Sequence, residues 1–180
     1  MMPMLLIVAA ALIGALGWTL AEYLLHRFAG HRRRSRWLFT REHLRHHREL
    51  DWFSPLWRKI ALSAGILASF GTVAALVLGA PGFAAVVGFL AAYGAYEVAH
   101  KRLHTHPPRG PWGRWARRHH WLHHAVDPAS NHGVTTALWD VVFRTHRRDA
   151  VTVHPSRAPG WLLDDSGCVK PAFEALFRLA

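Results

Sequence analysis

Three apolar runs frame this chain. Met4 to Leu25 is interrupted only by Thr19 and Glu22. Ile60 to Ala80 carries no charged residue, and Gly82 to Ala99 carries one, Glu97. As helices rising about 1.5 Å per residue, these runs are on the scale of a bilayer core of about 30 Å. Pro81-Gly82 is expected to break the second run from the third, since proline cannot continue a helix and glycine accepts a tight turn. The two runs then form a hairpin with an uncharged tip. Small residues recur along it, among them Gly65, Ala68, Gly71, Gly88, Ala91 and Gly94. Small side chains let membrane helices approach closely.

Charge changes the picture by its placement. All 22 Lys and Arg lie outside the apolar runs, ten from Arg27 to Lys59 and twelve from Lys101 onward. A net charge of +11 would ordinarily suggest nucleic acid, but basic stretches alternating with long apolar ones follow the positive-inside bias of membrane proteins instead. Both basic stretches are therefore expected on the cytoplasmic side, with the N-terminus and the hairpin tip opposite. Trp18, Tyr23, Trp52, Trp57, Tyr93 and Tyr96 fall towards the cytoplasmic ends, where amphipathic rings prefer the headgroup layer. The first run reads as a retained helix rather than a cleaved signal, because no Lys or Arg precedes it and it outruns an ordinary signal core. The single cysteine, Cys168, excludes an internal disulfide and any multi-thiolate metal site. The expected fold is all-α: an integral membrane bundle of about three spans with a cytoplasmic, histidine-rich cap. Residues 1–150 form that domain, and 151–180 read as a polar tail with a short surface helix over 172–179.

The candidate chemistry is histidine. Ten of the fifteen histidines fall into four groups: His26-x4-His31, His43-x2-His46-His47, His100-x3-His104 and His120-x2-His123-His124. Residues at i, i+3 and i+4 share a helix face, so each triplet offers three imidazoles from one turn. Ten ligands exceed one transition ion and suit two. His26 and His31 do not fit a regular helix, since five residues turn about 500° and leave the rings about 140° apart. Gly30 lies between them, and the first helix is expected to unwind and end there. Glu22 and Glu97 stand four and three residues before His26 and His100. A carboxylate so placed can accept the second ring N–H of a metal-bound imidazole, ligate directly, or reach for the interface. His106, His132, His146 and His154 read as solvated, and His119 is ambiguous beside His120.

The four groups, in this order and spacing, resemble the fatty acid hydroxylase superfamily, which includes sterol desaturases and carotenoid hydroxylases. Tyr96-Glu97-x2-His100 and the stretch from Asn131 to Thr145, containing Trp139-Asp140, carry the same resemblance, which spans roughly Glu22 to His146. It implies a small helical membrane bundle and O2-dependent oxidation of a lipid C–H bond at a non-haem di-iron centre. Its ligand roles fall on His26, His31, His43, His46, His47, His100, His104, His120, His123 and His124. Asp140 either supports the metal site from behind the ligands or fixes the final amphipathic helix. The chain departs from most fatty acid hydroxylases in being shorter, without an extra helical hairpin or a fused cytochrome b5-like domain. Carotenoid hydroxylases are similarly short, but usually separate the third histidine pair by four residues, where this chain has three.

Two iron ions are the expected cofactors, since iron suits imidazole and cycles between oxidation states; zinc binds the same ligands without cycling. The expected partners are a lipid entering from the bilayer, O2, and an external electron donor such as a ferredoxin or a cytochrome b5-like protein. Arg32, Arg33, Arg34 and Arg36 either dock that acidic donor or contact anionic lipid. No nucleic acid is expected. A metal carrier would place its ligands along the spans, and a bis-histidine haem protein would leave the triplets unexplained.

Overall fold

The structure is a computed structural model and describes residues 2–32 and 34–180. Arg33 lies outside the described residues. Helix α1 (Met2–Leu24) continues through a π-helical turn, Leu25–Gly30. Then come α2 (Leu38–Arg48), α3 (Leu56–Ile66), a second π turn (Leu67–Gly71), α4 (Thr72–Thr105), α5 (Gly110–Ala125) and the short α6 (Leu138–Val142). The chain divides into two compact units. The first comprises residues 1–21 and 54–97, the second residues 22–53 and 98–180.

The first unit is apolar on its outside. The helical stretches Met2–Gly30 and Leu56–Thr105 are long and apolar enough to cross a membrane, and only 6% of the most apolar window in each is buried. Leu5, Leu6, Leu12, Leu62, Phe70, Leu76 and Val77 are all exposed. A core helix of a water-soluble protein would hide such residues, so this is the surface of a membrane protein. The longer stretch, 50 residues, breaks at Gly79, two residues before the expected point. Gly79 takes φ +66°, a conformation that side-chain-bearing residues resist, and Pro81 then sits in the first turn of the following arm. Beyond the break the arms touch: a Cβ on Gly82 would collide with the Ala74 carbonyl. The small residues act selectively. Gly14 and Gly88 face the backbone carbonyls of Ala85 and Ala11, so α1 packs backbone-close on the second arm of α4, whereas Gly65 and Gly94 meet nothing. Trp18 is buried against Phe89, Tyr93 and Tyr96 rather than standing in a headgroup belt. Glu97 pairs with Lys59 within this unit.

In the second unit, residues 151–180 are no polar tail. Strands β1 (Val151–Val153) and β2 (Phe177–Leu179) pair in parallel, with Val151 opposite Phe177. Val151, Val153, Trp161, Leu162 and Phe177 are buried together with Trp121 and Leu122 of α5. Where a surface helix was expected, 171–173 form a 3₁₀ turn and 177–179 a strand. The apolar residues here are too short a run to register as a segment, yet they cover one face of α5, and the two strands qualify the all-α expectation.

Candidate metal centre

Four helical segments deliver imidazoles into the second unit. The first histidine pair is brought into line by backbone geometry. The turn Leu25–Gly30 is π-helical, and i to i+5 bonding stacks residues five apart. His26 and His31 thus come together with ring centroids 5.6 Å apart and planes at 18°. The helix ends at Gly30 as expected, but by widening rather than unwinding. Glycine is required there for a second reason: a Cβ would stand 2.8 Å from Cδ2 of His43 and 3.1 Å from its Nε2. Gly30→Ala is therefore expected to push the His43 ring off its position and to weaken metal binding about tenfold, read by chelator competition, with little change in helix content by circular dichroism. Unchanged metal affinity would contradict this packing.

The ten imidazoles fall into two groups of five, within each of which the candidate ligand atoms lie within 4.8 Å of one another. His26, His31, His43, His47 and His123 make the first, hereafter cluster A; His46, His100, His104, His120 and His124 make cluster B. Each triplet is shared. His43 and His47 face cluster A while His46 faces cluster B; His120 and His124 face cluster B while His123 faces cluster A. Adjacent residues such as His46 and His47 project on different sides of their helix, so consecutive histidines serve neighbouring clusters.

The spacing of the nitrogens tests whether a metal fits. In cluster A, Nε2 of His123 lies 2.9 Å from that of His26, 3.2 Å from His31 and 3.1 Å from His47, and the His31 to His43 distance is 3.1 Å. In cluster B, Nε2 of His104 lies 3.1 Å from His46 and 2.8 Å from His120. Donors at about 2.1 Å from one ion are about 3.0 Å apart at right angles and about 3.4 Å apart in a tetrahedron. The observed edges match right angles, and five donors exceed a tetrahedral set. Both ring nitrogens of His124 are buried with no hydrogen-bond partner among the described residues, a costly state that a metal on one of them would partly relieve.

Burial keeps the imidazoles neutral. It pushes the His47 pKa down to about 2 and that of His31 to about 4, with neighbouring histidines adding to the effect. His43, His120, His123 and His124 are lowered well below the ordinary value for the same reasons. Neutral imidazole is the form that ligates, so at neutral pH these rings present lone pairs without first losing protons.

In three of the ten rings a backbone carbonyl, not a carboxylate, fixes which nitrogen faces inward. Nδ1–H of His26 donates to the His132 carbonyl at 2.5 Å, that of His123 to Ser130 at 2.7 Å, and that of His46 to Trp52 at 2.9 Å. Each bond leaves Nε2 aimed into its cluster. Glu22 instead accepts the Val134 N–H at 2.5 Å and the Thr135 hydroxyl at 3.3 Å, which ties α1 to the loop before α6. Asp140 holds the same loop. Its oxygens accept the His132 and Gly133 N–H groups at 2.8 and 2.9 Å, the Thr145 hydroxyl at 2.7 Å and the His119 ring at 3.2 Å. Burial alone would raise its pKa; the His119, Thr145 and Gly133 donors outweigh it and hold the carboxyl below the ordinary range. Asn131, at φ +53°, makes the turn, pinned by its side chain to Arg147. Glu22 and Asp140 thus support the loop whose carbonyls orient His26 and His123, whereas Glu97 is engaged by Lys59.

Sequence reading missed part of this. His132 is buried, not solvated, with its ring centroid 5.4 to 6.2 Å from those of His26, His31 and His123. His119 turns to Asp140, and His146 stacks on it at 5.3 Å. His106 and His154 are exposed, as read. The carbonyls of Trp52, Ser130 and His132 left no signal, because a backbone role does not depend on residue type.

Residues 11–145 match the fatty acid hydroxylase family model. A dihydroceramide fatty acyl 2-hydroxylase of Arabidopsis thaliana is 32% identical over 137 residues, covering 73% of this chain and 58% of that protein. A fatty acid 2-hydroxylase of Mus musculus is 30% identical over 153 residues, covering 81% of this chain and 41% of the relative. The chain thus spans about half the length of these relatives. A solved structure of full-length scs7p, in which only the hydroxylase domain is visible, superposes with a TM-score of 0.58 at 28% identity, covering 78% of this chain and 57% of that one. With three-quarters of its length matched by the family model and its histidines gathered into two metal-fitting clusters, this chain belongs to the fatty acid hydroxylase family.

Proposed function

We propose that this chain is an integral-membrane oxygenase that hydroxylates a fatty acyl chain, at carbon 2 as the names of its relatives state for them. The observation that carries the reading is the pair of five-histidine clusters in a chain of this family. The overall change inserts one oxygen atom of O2 into a C–H bond. The other leaves as water, with two electrons and two protons supplied from outside. The ten clustered histidines hold two ions, and iron is the assignment because it changes oxidation state in imidazole sites where zinc does not. Bound iron supplies the activation of O2.

The protein's own contribution is placement. Each cluster would offer an ion five imidazoles, and the carbonyl bonds to His26, His46 and His123 keep those rings from turning away. Most of the ten side chains are buried, which keeps bulk water from the reacting carbon. The chain then spans the membrane three times, with α1 and the two arms on either side of Gly79, a reading supported by the two long apolar stretches and the break within the second. Both basic stretches, and with them every clustered histidine, are then cytoplasmic. The lipid reaches the clusters from the bilayer. An acidic donor of the ferredoxin or cytochrome b5 type fits the exposed Arg32, Arg34 and Arg36.

Purified protein in detergent is expected to carry two irons per chain and to consume O2 only with reductant and fatty acyl lipid present, yielding a 2-hydroxyacyl product by mass spectrometry. A double bond or a hydroxylated carotenoid would move the chain to another activity of the same superfamily. Two bound metals without oxygen uptake in a competent redox system would make it a metal-binding protein only.

A further inference from the structure

Pro107-Pro108 creates a problem at the end of α4. In a helix the carbonyls of Leu103 and His104 would accept from the N–H groups four residues on, which are those of Pro107 and Pro108. Proline has no N–H. Two carbonyls at the cluster B end of the helix are therefore denied their partners by sequence, one of them on the ligand residue His104 itself. Indoles take their place. Trp121 Nε1–H donates to the Leu103 carbonyl at 3.3 Å, and Trp161 Nε1–H donates to the His104 carbonyl at 3.0 Å. Arg117 lies over the Trp161 ring and donates to the carbonyls of Arg102 and His106 at 2.9 and 2.8 Å.

The end of α2 shows the same arrangement on the other cluster. His47 lies in the last turn of α2, where carbonyls lack helical partners, and Arg157 Nη2–H donates to its carbonyl at 2.7 Å. Trp161 and Arg157 both come from residues 151–180, beyond the 11–145 matched by the family model. The anchorage of this segment is substantial: Val151, Val153, Leu162 and Phe177 are almost wholly buried.

We propose that the C-terminal segment is a clamp on the metal centre, in which Trp161 positions His104 of cluster B and Arg157 positions His47 of cluster A. Neither residue touches the ions; each holds the backbone from which a ligand projects. The inference rests on the metal reading above and adds to it that two residues outside the family match tune the two metal affinities separately. Trp161 is buried and Arg157 exposed, so Trp161 carries the larger effect.

The test uses the full-length protein in detergent, with Trp161→Phe, which keeps an aromatic ring and removes the N–H, and Arg157→Met with Arg157→Lys as its conservative rescue. Stepwise metal release to a chelator gives two affinities per chain. Trp161→Phe is expected to lower one of them about tenfold and leave the other alone, in the range seen when a partner behind a ligand is lost. Arg157→Met is expected to lower the other by a few-fold, Arg157→Lys to restore it, and the double variant to lower both. Both affinities falling together in each single variant would indicate general loosening and overturn the clamp, as would two unchanged affinities. A parent protein that binds no metal would overturn the metal reading itself, and the clamp with it. Should Trp161→Phe fail to fold, the Arg157 pair still decides whether one site responds alone.

Discussion

His123→Ala is expected to abolish hydroxylation and to reduce metal content from two ions to one per chain. His123 is the hub of cluster A: its Nε2 lies within 3.2 Å of the ring nitrogens of His26, His31 and His47. Losing a group that merely supports a ligand costs about 10- to 100-fold in affinity or activity, and losing the ligand itself should exceed the upper figure. The fold should survive. The substitution frees one buried carbonyl, that of Ser130, a penalty of about 1 to 3 kcal/mol. Membrane insertion depends on apolar helices elsewhere in the chain. His46→Ala should do the same to cluster B, whereas His106→Ala, on an exposed ring, should leave turnover unchanged. Iron counting and product formation on the three variants check this. Full turnover with two ions in His123→Ala would remove that residue from the ligand set.

The second large effect falls on Asp140, which touches no cluster. Asp140→Ala would strand two backbone N–H groups, a hydroxyl and an imidazole inside a fully buried pocket. Each unsatisfied donor costs about 1 to 3 kcal/mol, so a total on the order of 3 to 5 kcal/mol is expected after partial relaxation. The loss should reach the metal selectively. The loop that Asp140 holds contains the His132 carbonyl, which orients His26, and the Val134 N–H, which binds Glu22. Cluster A should therefore empty before cluster B on mild heating. Asp140→Asn, which keeps the shape but turns an N–H₂ towards donors, should fall between alanine and the parent. Thermal unfolding with metal counting along the transition measures both effects. An alanine variant with parental stability and an intact cluster A would refute the supporting role.

The contrast between these two residues marks what spacing can reveal. His123 stood out because imidazole is the commonest metal ligand and a helix repeats its face every three to four residues, so chemistry and period coincide. Asp140 stood out only by resemblance, and its partners are mostly backbone N–H groups that any residue carries. The C-terminal segment was misread for a related reason. Trp161, Leu162 and Phe177 are scattered among polar and turn residues, so no local period announces a core. They become one when α5 presents Trp121 and Leu122 to them. The hairpin was legible to within two residues, because a proline and two glycines crowd the break, but which of them bends depends on how the arms pack.

The sequence by itself determined where apolar helices run, that ten imidazoles are candidates for two ions, and that the first helix stops at Gly30. These follow from composition and local period, which act over a few residues. Only the tertiary structure decided how the ten divide into two sets of five, that a π-helical turn aligns His26 with His31, and that carbonyls rather than carboxylates orient the rings of His26, His46 and His123. Those outcomes turn on which backbone atoms from distant segments meet, and a carbonyl has no side chain by which a sequence could declare it.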